Sequence, residues 1–202
     1  LDFVDMPLPT SLHSHYAIKA LNAGLHVFCE KPMAMTVEEC DEMIEACDKY
    51  GVKLQVGFMR RYDRGYAEMK RIIDSGEIGA PLLIKACHRN VAQGPGFKTE
   101  NGITNVAIHE LDICRWLLDD EYEDAQAVRV RQSANSNKGY DNPQVVLLRT
   151  KKGCFIDVEV QVADGYGYDI HCAVVCETGT VKLQWLPQFT TFADREWKHS
   201  EG

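Results

Sequence analysis

The chain has 202 residues, 45% hydrophobic and 26% charged, with a formal net charge of −8. This is the composition of an ordinary soluble protein of one to two domains, and an acidic balance without a basic stripe argues against a nucleic-acid partner. No apolar run approaches the roughly 18 residues of a membrane span, and the N-terminus does not read as a signal peptide.

The eight cysteines include no Cys-x-x-Cys pair and fall inside predicted strands and helices, where a free thiol packs as a small hydrophobe. The pattern predicts a reducing cytosol, no disulfide and no zinc site.

In chain order, Val4 to Met6 ends a strand, Pro7 to Pro9 forms a loop, and Ser11 is the predicted N-cap of a helix running to about Asn22 with Gly24 beyond it. Leu25-His26-Val27-Phe28 reads as a buried strand. Thr36-Val37-Glu38-Glu39 has the spacing of a capping box. The helix it opens, Val37 to Tyr50, is predicted to bury Val37, Met43, Ile44 and Cys47 and to stop at Gly51. Val52 to Phe58 is a third strand. This alternation argues for parallel βαβ units.

The pattern changes at Met59, so the predicted division is 1–58 and 59–202. Asp63 can cap a helix to Ser75, with Gly76 as its stop. Leu82 to His88 is a strand and 91–104 a loop carrying the turn Gly94-Pro95-Gly96. Val106 to Leu118 is a helix. Strands follow at about 125–132, 144–150, 154–162, 168–177 and 180–185, joined by hairpin turns at Lys151-Lys152-Gly153 and Thr178-Gly179. The tail from Trp185 reads as an interrupted element. The fold class is therefore α/β plus α+β, the latter with a large, mostly antiparallel sheet.

Cys29-Glu30-Lys31-Pro32 lies between a strand and a helix, at the carboxyl edge where open α/β sheets bind ligands. On position alone, a solvated surface lysine is the simpler reading. Pro9-Thr10-Ser11-Leu12-His13, followed by Ala23-Gly24-Leu25-His26-Val27-Phe28 and Glu30-Lys31-Pro32, resembles the signature of the Gfo/Idh/MocA oxidoreductases. That resemblance implies a second half of a Rossmann domain, NAD (or NADP) as cofactor, and contacts to it from Thr10, His13, Glu30, Lys31 and Pro32. It places Lys31 between nicotinamide and substrate, with a Lys-Pro bond that is commonly cis. The sequence contains no Gly-x-Gly-x-x-Gly and opens on what looks like a strand in progress, so the expectation is a fragment beginning midway through the cofactor domain and inactive alone.

Asn105, His109 and Asp112 are spaced i, i+4, i+7 and are predicted to share one helix face. Alone, this reads better as a hydrogen-bonded core histidine. It resembles the family's Asp-x-x-x-His motif, which implies that His109 is the acid/base. Asn105 departs from the family's aspartate and loses the charge that would raise the histidine's pKa. Asp112 reads as a brace.

Gly57-Phe58-Met59-Arg60-Arg61 resembles the family's domain-junction segment. Arg61 is assigned to substrate and Arg60 to structure, against the reading of a solvated hinge. Alternation puts His88 and Asn90 on one side of a strand end, where the resemblance implies polyol contacts and the alternative is solvent. Gly165-Tyr166-Gly167-Tyr168-Asp169, leading into Glu177-Thr178-Gly179-Thr180, resembles the family's inositol dehydrogenases. It implies a substrate contact from Tyr168, against an aromatic pair in the core.

The implied activity is NAD-dependent oxidation of a cyclitol hydroxyl by a cytoplasmic homo-oligomer assembled through the open sheet face, myo-inositol giving its 2-ketone. The alternatives are a dehydrogenase of another sugar or polyol, and a non-catalytic sugar or cofactor sensor, the latter motivated by Asn105.

Overall fold

A computed structural model describes the chain apart from residues 93, 95, 137, 164–167, 184–187, 194–195 and 202, and describes Gln188–Ala193 and Glu196–Glu201 by backbone alone. Pro95 of the expected turn, the glycines of Gly165-Tyr166-Gly167, and Trp185 lie outside the described residues. The chain divides into two units, Leu1–Met59 and Arg60–Gly202.

The first unit is a three-stranded parallel sheet in the order β1 (Phe3–Met6), β2 (His26–Cys29), β3 (Leu54–Val56). Its crossovers carry helices α1 (His13–Asn22) and α2 (Val37–Tyr50). Met6, Val27 and Cys29 pack with Ala17 and Leu21 of α1 and with Met43 and Ala46 of α2. The predicted buried strand is buried only at alternate positions. His26 and Phe28 are exposed, because the described helices cover one sheet face and successive side chains point to opposite faces.

The Thr36 hydroxyl accepts from the Glu39 amide at 3.2 Å, as the capping spacing predicts. The Glu39 carboxylate, however, reaches past Thr36 to accept from the Met35 amide at 2.8 Å. Gly51 ends the helix at φ +64°, a left-handed conformation that costs glycine nothing. The predicted apolar stripe needs correction, since Val37 and Ile44 are exposed. Val37 sits beside the cap, and a helix that points Met43 and Ala46 inward turns Ile44 about 100° away. Ser11 is not a cap either. It lies within a 3₁₀ turn, Thr10–Leu12, that follows Pro9 and makes no side-chain cap bond.

The second unit is an eight-stranded sheet. Its strands are β4 (Pro81–Arg89), β5 (Tyr122–Arg129), β6 (Gln144–Thr150), β7 (Phe155–Gln161), β8 (Asp169–Cys176), β9 (Gly179–Leu183), β10 (Gln188–Ala193) and β11 (Glu196–Glu201), so the tail contributes two strands. The order is β11-β10-β9-β8-β4-β7-β6-β5. Only β4 and β7 run parallel; the other pairs are antiparallel.

Helix α3 (Arg64–Ser75) is capped by Asp63, whose side chain accepts from the Gly65 and Tyr66 amides, and ends at Gly76 with φ +72°, both as predicted. Tyr66, Met69, Ile72 and Ile73 of α3 and Ile113, Cys114 and Leu117 of α4 (Ile108–Leu118) join Ile84, Ile156, Val158 and Val174 of the sheet in one core.

The approach to α4 differs from the expected loop. A helical turn, Thr99–Asn101, leads into a π-helix over Gly102–Ala107. A π-helix closes on the fifth residue, so its side chains fall out of phase with an α-helical stripe. Asn105, on the π-helix, is exposed while His109 and Asp112, on α4, are buried.

Candidate active site

In the first unit, the candidate residues occupy the loops after β1 and β2. His13 is 1% exposed. Its Nδ1 lies 2.9 Å from the Pro32 carbonyl oxygen and its Nε2 2.7 Å from that of Leu8. Both nitrogens are thus engaged by protein carbonyls, and any effect of His13 on a ligand passes through the two loops it joins. Thr10 begins the 3₁₀ turn. The Lys31 amide donates to the Glu30 carboxylate at 3.2 Å, Lys31 is half-buried and Pro32 buried, and the Lys31–Pro32 bond is cis.

Gly57, after β3, closes the same edge. Its amide donates to the Cys29 carbonyl at 2.7 Å, and a Cβ there would sit 3.3 Å from Glu30 Oε1 and 3.4 Å from Phe28 Cζ. The Cys29 thiol is pushed up to about 11, chiefly by burial and next by Glu30, so it is a neutral packing group. A parallel sheet whose loops are tied down around a half-buried lysine fits a dinucleotide approaching its carboxyl edge. Thr10, Glu30, Lys31 and Pro32 are the residues available to hold it.

In the second unit, a buried polar cluster draws on three separate segments. Arg60 (5% exposed), His88 (4%) and Glu110 (1%) come from the 3₁₀ turn Met59–Tyr62, from β4 and from α4. Glu110 Oε1 pairs with Arg60 Nη1. Glu110 Oε2 lies 3.0 Å from His88 Nδ1, and Arg60 Nη2 is 3.0 Å from the same nitrogen. Burial pulls the Arg60 pKa down, but the Glu110 carboxylate, together with Tyr66 and Tyr168, turns the net shift upward.

The His109 ring lies 5.8 Å from the His88 ring, and Tyr168, ahead of β8, stands edge-on to His88 at 5.8 Å. His88, His109 and Tyr168, chosen from sequence, are therefore neighbours. Arg61 also packs against this helix, with Nε donating to Asp112 Oδ2 at 2.8 Å and Nη2 to Oδ1. Asp112 is the brace expected of it, and Arg61 carries a bidentate pair of its own. Asn90 donates its backbone amide to Gln161 at 2.8 Å.

Sequence reasoning missed Glu110. Its signal was a carboxylate placed i−4 and i−7 from Cys114 and Leu117, on the buried stripe of α4. A charge there demands a buried cation.

Cys87, Asp169 and His171 place potential metal-ligand atoms within 4.8 Å of one another. Asp169 is already held by Arg89 at 2.7 Å and by His171 at 3.1 Å. The Cys87 thiol is pushed up to about 12, first by burial and then by Glu159. The group is accounted for as an ion-pair cluster.

Two family models match the chain: the oxidoreductase family with an NAD-binding Rossmann fold over residues 1–58, and the GFO/IDH/MocA C-terminal domain over residues 66–182. The chain belongs to the Gfo/Idh/MocA family. Among Gfo/Idh/MocA relatives, an inositol 2-dehydrogenase of Klebsiella pneumoniae is 49% identical over 184 residues, covering 89% of this chain and 55% of that protein. One of Pseudomonas fluorescens is 51% identical over 172 residues, covering 85% and 51%. The crystal structure of a Lactobacillus casei myo-inositol dehydrogenase, in complex with NAD(H) and myo-inositol, superimposes with a TM-score of 0.87 at 40% identity, covering 91% of this chain and 55% of that one. The chain thus spans about half the length of these relatives. Among its described residues, no helix is long and apolar enough to cross a membrane.

Proposed function

We propose that this chain carries substrate-site and cofactor-loop residues of an NAD-dependent dehydrogenase that oxidises a secondary hydroxyl of a cyclitol, with myo-inositol converted to its 2-ketone. The observation that carries the reading is the meeting of His88, His109 and Tyr168 around a buried Arg60–Glu110 pair. Such a group of ring nitrogens and a phenol suits a ligand made of hydroxyls, each of which both donates and accepts. The similarity to inositol dehydrogenases supports the choice of polyol.

In this reading His109 takes the hydroxyl proton as general base. Lys31 hydrogen-bonds the reacting oxygen through its ammonium group. His88, Asn90, Arg61 and Tyr168 orient the remaining hydroxyls. Thr10, Glu30 and Pro32 hold the cofactor, and His13 fixes the loops they stand on. Bound NAD supplies the hydride acceptor. The assembly is proposed to be a homo-oligomer formed through the open sheet face.

The test is NADH formation by the protein expressed from its complete reading frame, against a panel of cyclitols and aldoses. Turnover with myo-inositol is expected. Turnover with an aldose alone moves the activity to another sugar or polyol. Cofactor binding without turnover on any member supports a sensor, the reading motivated by Asn105 standing where the family has aspartate.

A further inference from the structure

At His88, two charged groups of opposite kind compete for one ring nitrogen. Glu110 Oε2 and Arg60 Nη2 each lie 3.0 Å from Nδ1, while Glu110 Oε1 and Arg60 Nη1 are paired with each other. A guanidinium only donates and a carboxylate only accepts. A bare Nδ1 therefore accepts from Arg60, and a protonated Nδ1 donates to Glu110. Either way it has a charge-assisted partner. All three side chains are more than nine-tenths buried, so water is not needed to satisfy either state. The pair's charges cancel, and neither state leaves Nδ1 facing an uncompensated ion. Among the described residues, the groups around the cluster include the rings of His109 and Tyr168, each 5.8 Å from His88, Tyr66, 5.9 Å from the Arg60 guanidinium, and the thiols of Cys87, Cys114 and Cys172, which feel the Glu110 charge.

We infer that Arg60 and Glu110 form a two-way clamp that holds the His88 ring in place while letting its proton sit on either nitrogen. Nε2 then meets a ligand oxygen as acceptor or as donor without any side chain moving. Arg60 and Glu110 are positioning residues in this scheme. Its use on a polyol rests on the dehydrogenase reading above. A ligand hydroxyl can donate to a bare Nε2 or accept from Nε2–H. His88 then holds a non-reacting hydroxyl of the polyol in either hydrogen-bond orientation.

Nitrogen-15 correlation spectroscopy of the histidine rings in the labelled protein tests the clamp directly, with the His88 signals assigned by their loss in His88→Gln. Both His88 nitrogens are expected at shifts between the bare and the protonated position. Arg60→Met is expected to move the proton onto Nδ1 and Glu110→Gln onto Nε2. A wild-type ring fixed in one tautomer overturns the clamp, whatever the variants do. So do two fully protonated nitrogens, or intermediate shifts that neither substitution moves. Each variant leaves a buried charge without its partner. If neither folds, the wild-type spectrum alone decides. Intermediate shifts in a protein that turns over no member of the cyclitol and aldose panel would remove the dehydrogenase reading and leave the clamp standing.

Discussion

Gly102, at the start of the π-helix that leads into the His109 helix, is buried against the sheet. A methyl group there would overlap Gln144 Oε1 outright and lie 2.8 Å from Gln144 Cδ and 2.9 Å from the Tyr140 hydroxyl. Tyr140 is itself buried and packed edge-on against Phe97 at 5.3 Å, so the movable partner is Gln144. Moving it breaks the hydrogen bond from its Nε2 to the Thr99 carbonyl, 2.9 Å long, which ties β6 to the turn before the π-helix. Overpacking costs about 1–3 kcal/mol, and the lost hydrogen bond about 0.5–1.5 kcal/mol. The reduced freedom of the unfolded chain returns about 0.4–1 kcal/mol. The expected net destabilisation for Gly102→Ala is therefore about 0.5–4 kcal/mol.

All three tryptophans (Trp116, Trp185 and Trp197) belong to the second unit, so their fluorescence during denaturant unfolding reports on the unit that carries the change. Gln144→Ala removes the obstructing atoms. The double variant is expected to recover most of the overpacking cost, giving a coupling that a thermodynamic cycle reads. A Gly102→Ala protein within about 0.5 kcal/mol of wild type, or a double variant no better than the sum of the singles, would refute the close contact.

Three further outcomes are expected. His109→Ala should lower kcat by about 10²–10⁴ with NAD affinity nearly unchanged; survival of turnover within a few-fold would make His109 a core residue. Tyr168→Phe should raise the KM for myo-inositol by the loss of one hydrogen bond, about 0.5–1.5 kcal/mol, and unchanged kinetics would place its hydroxyl away from substrate. Burial pushes the Cys87 and Cys172 thiols up to about 12, and Cys154 and Cys176 to about 11, from an ordinary 9.0. A thiol raised in the folded state binds its proton more tightly there. Its contribution to stability is full below pH 9 and is lost as pH rises toward those values. The unfolding midpoint should fall steeply above about pH 9, and a midpoint flat to pH 11 would show that these thiols are not what burial makes them.

Local elements were legible in the sequence wherever a few adjacent residues settle the backbone. Thr36, Asp63, Gly51 and Gly76 mark helix ends because a cap hydrogen bond or a left-handed residue acts within one turn. The alternation of strands and helices before Met59, and the run of strands after it, reflect periodicities of the chain itself. The motif that points to the family, from Pro9 to Pro32, is likewise a linear pattern.

What only the tertiary structure decided is which faces are covered and which charges meet. Val37 and Phe28 are apolar yet exposed, because burial depends on what packs against an element as well as on its composition. The i, i+4, i+7 spacing of Asn105, His109 and Asp112 assumed an unbroken α-helix. The segment before Ile108 is instead a π-helix over Gly102–Ala107, which no residue spacing in the sequence announces. Arg60 and Arg61 are adjacent and chemically equal in the sequence. Their partners, Glu110 and Asp112, lie 50 and 51 residues away, and the fold brings those carboxylates to them from within one turn of one helix. Long-range pairing of this kind is set by the packing of α4 on the sheet. The sequence marks Glu110 only as a charge on the buried stripe of α4; that Arg60 and His88 are its partners was decided by the fold.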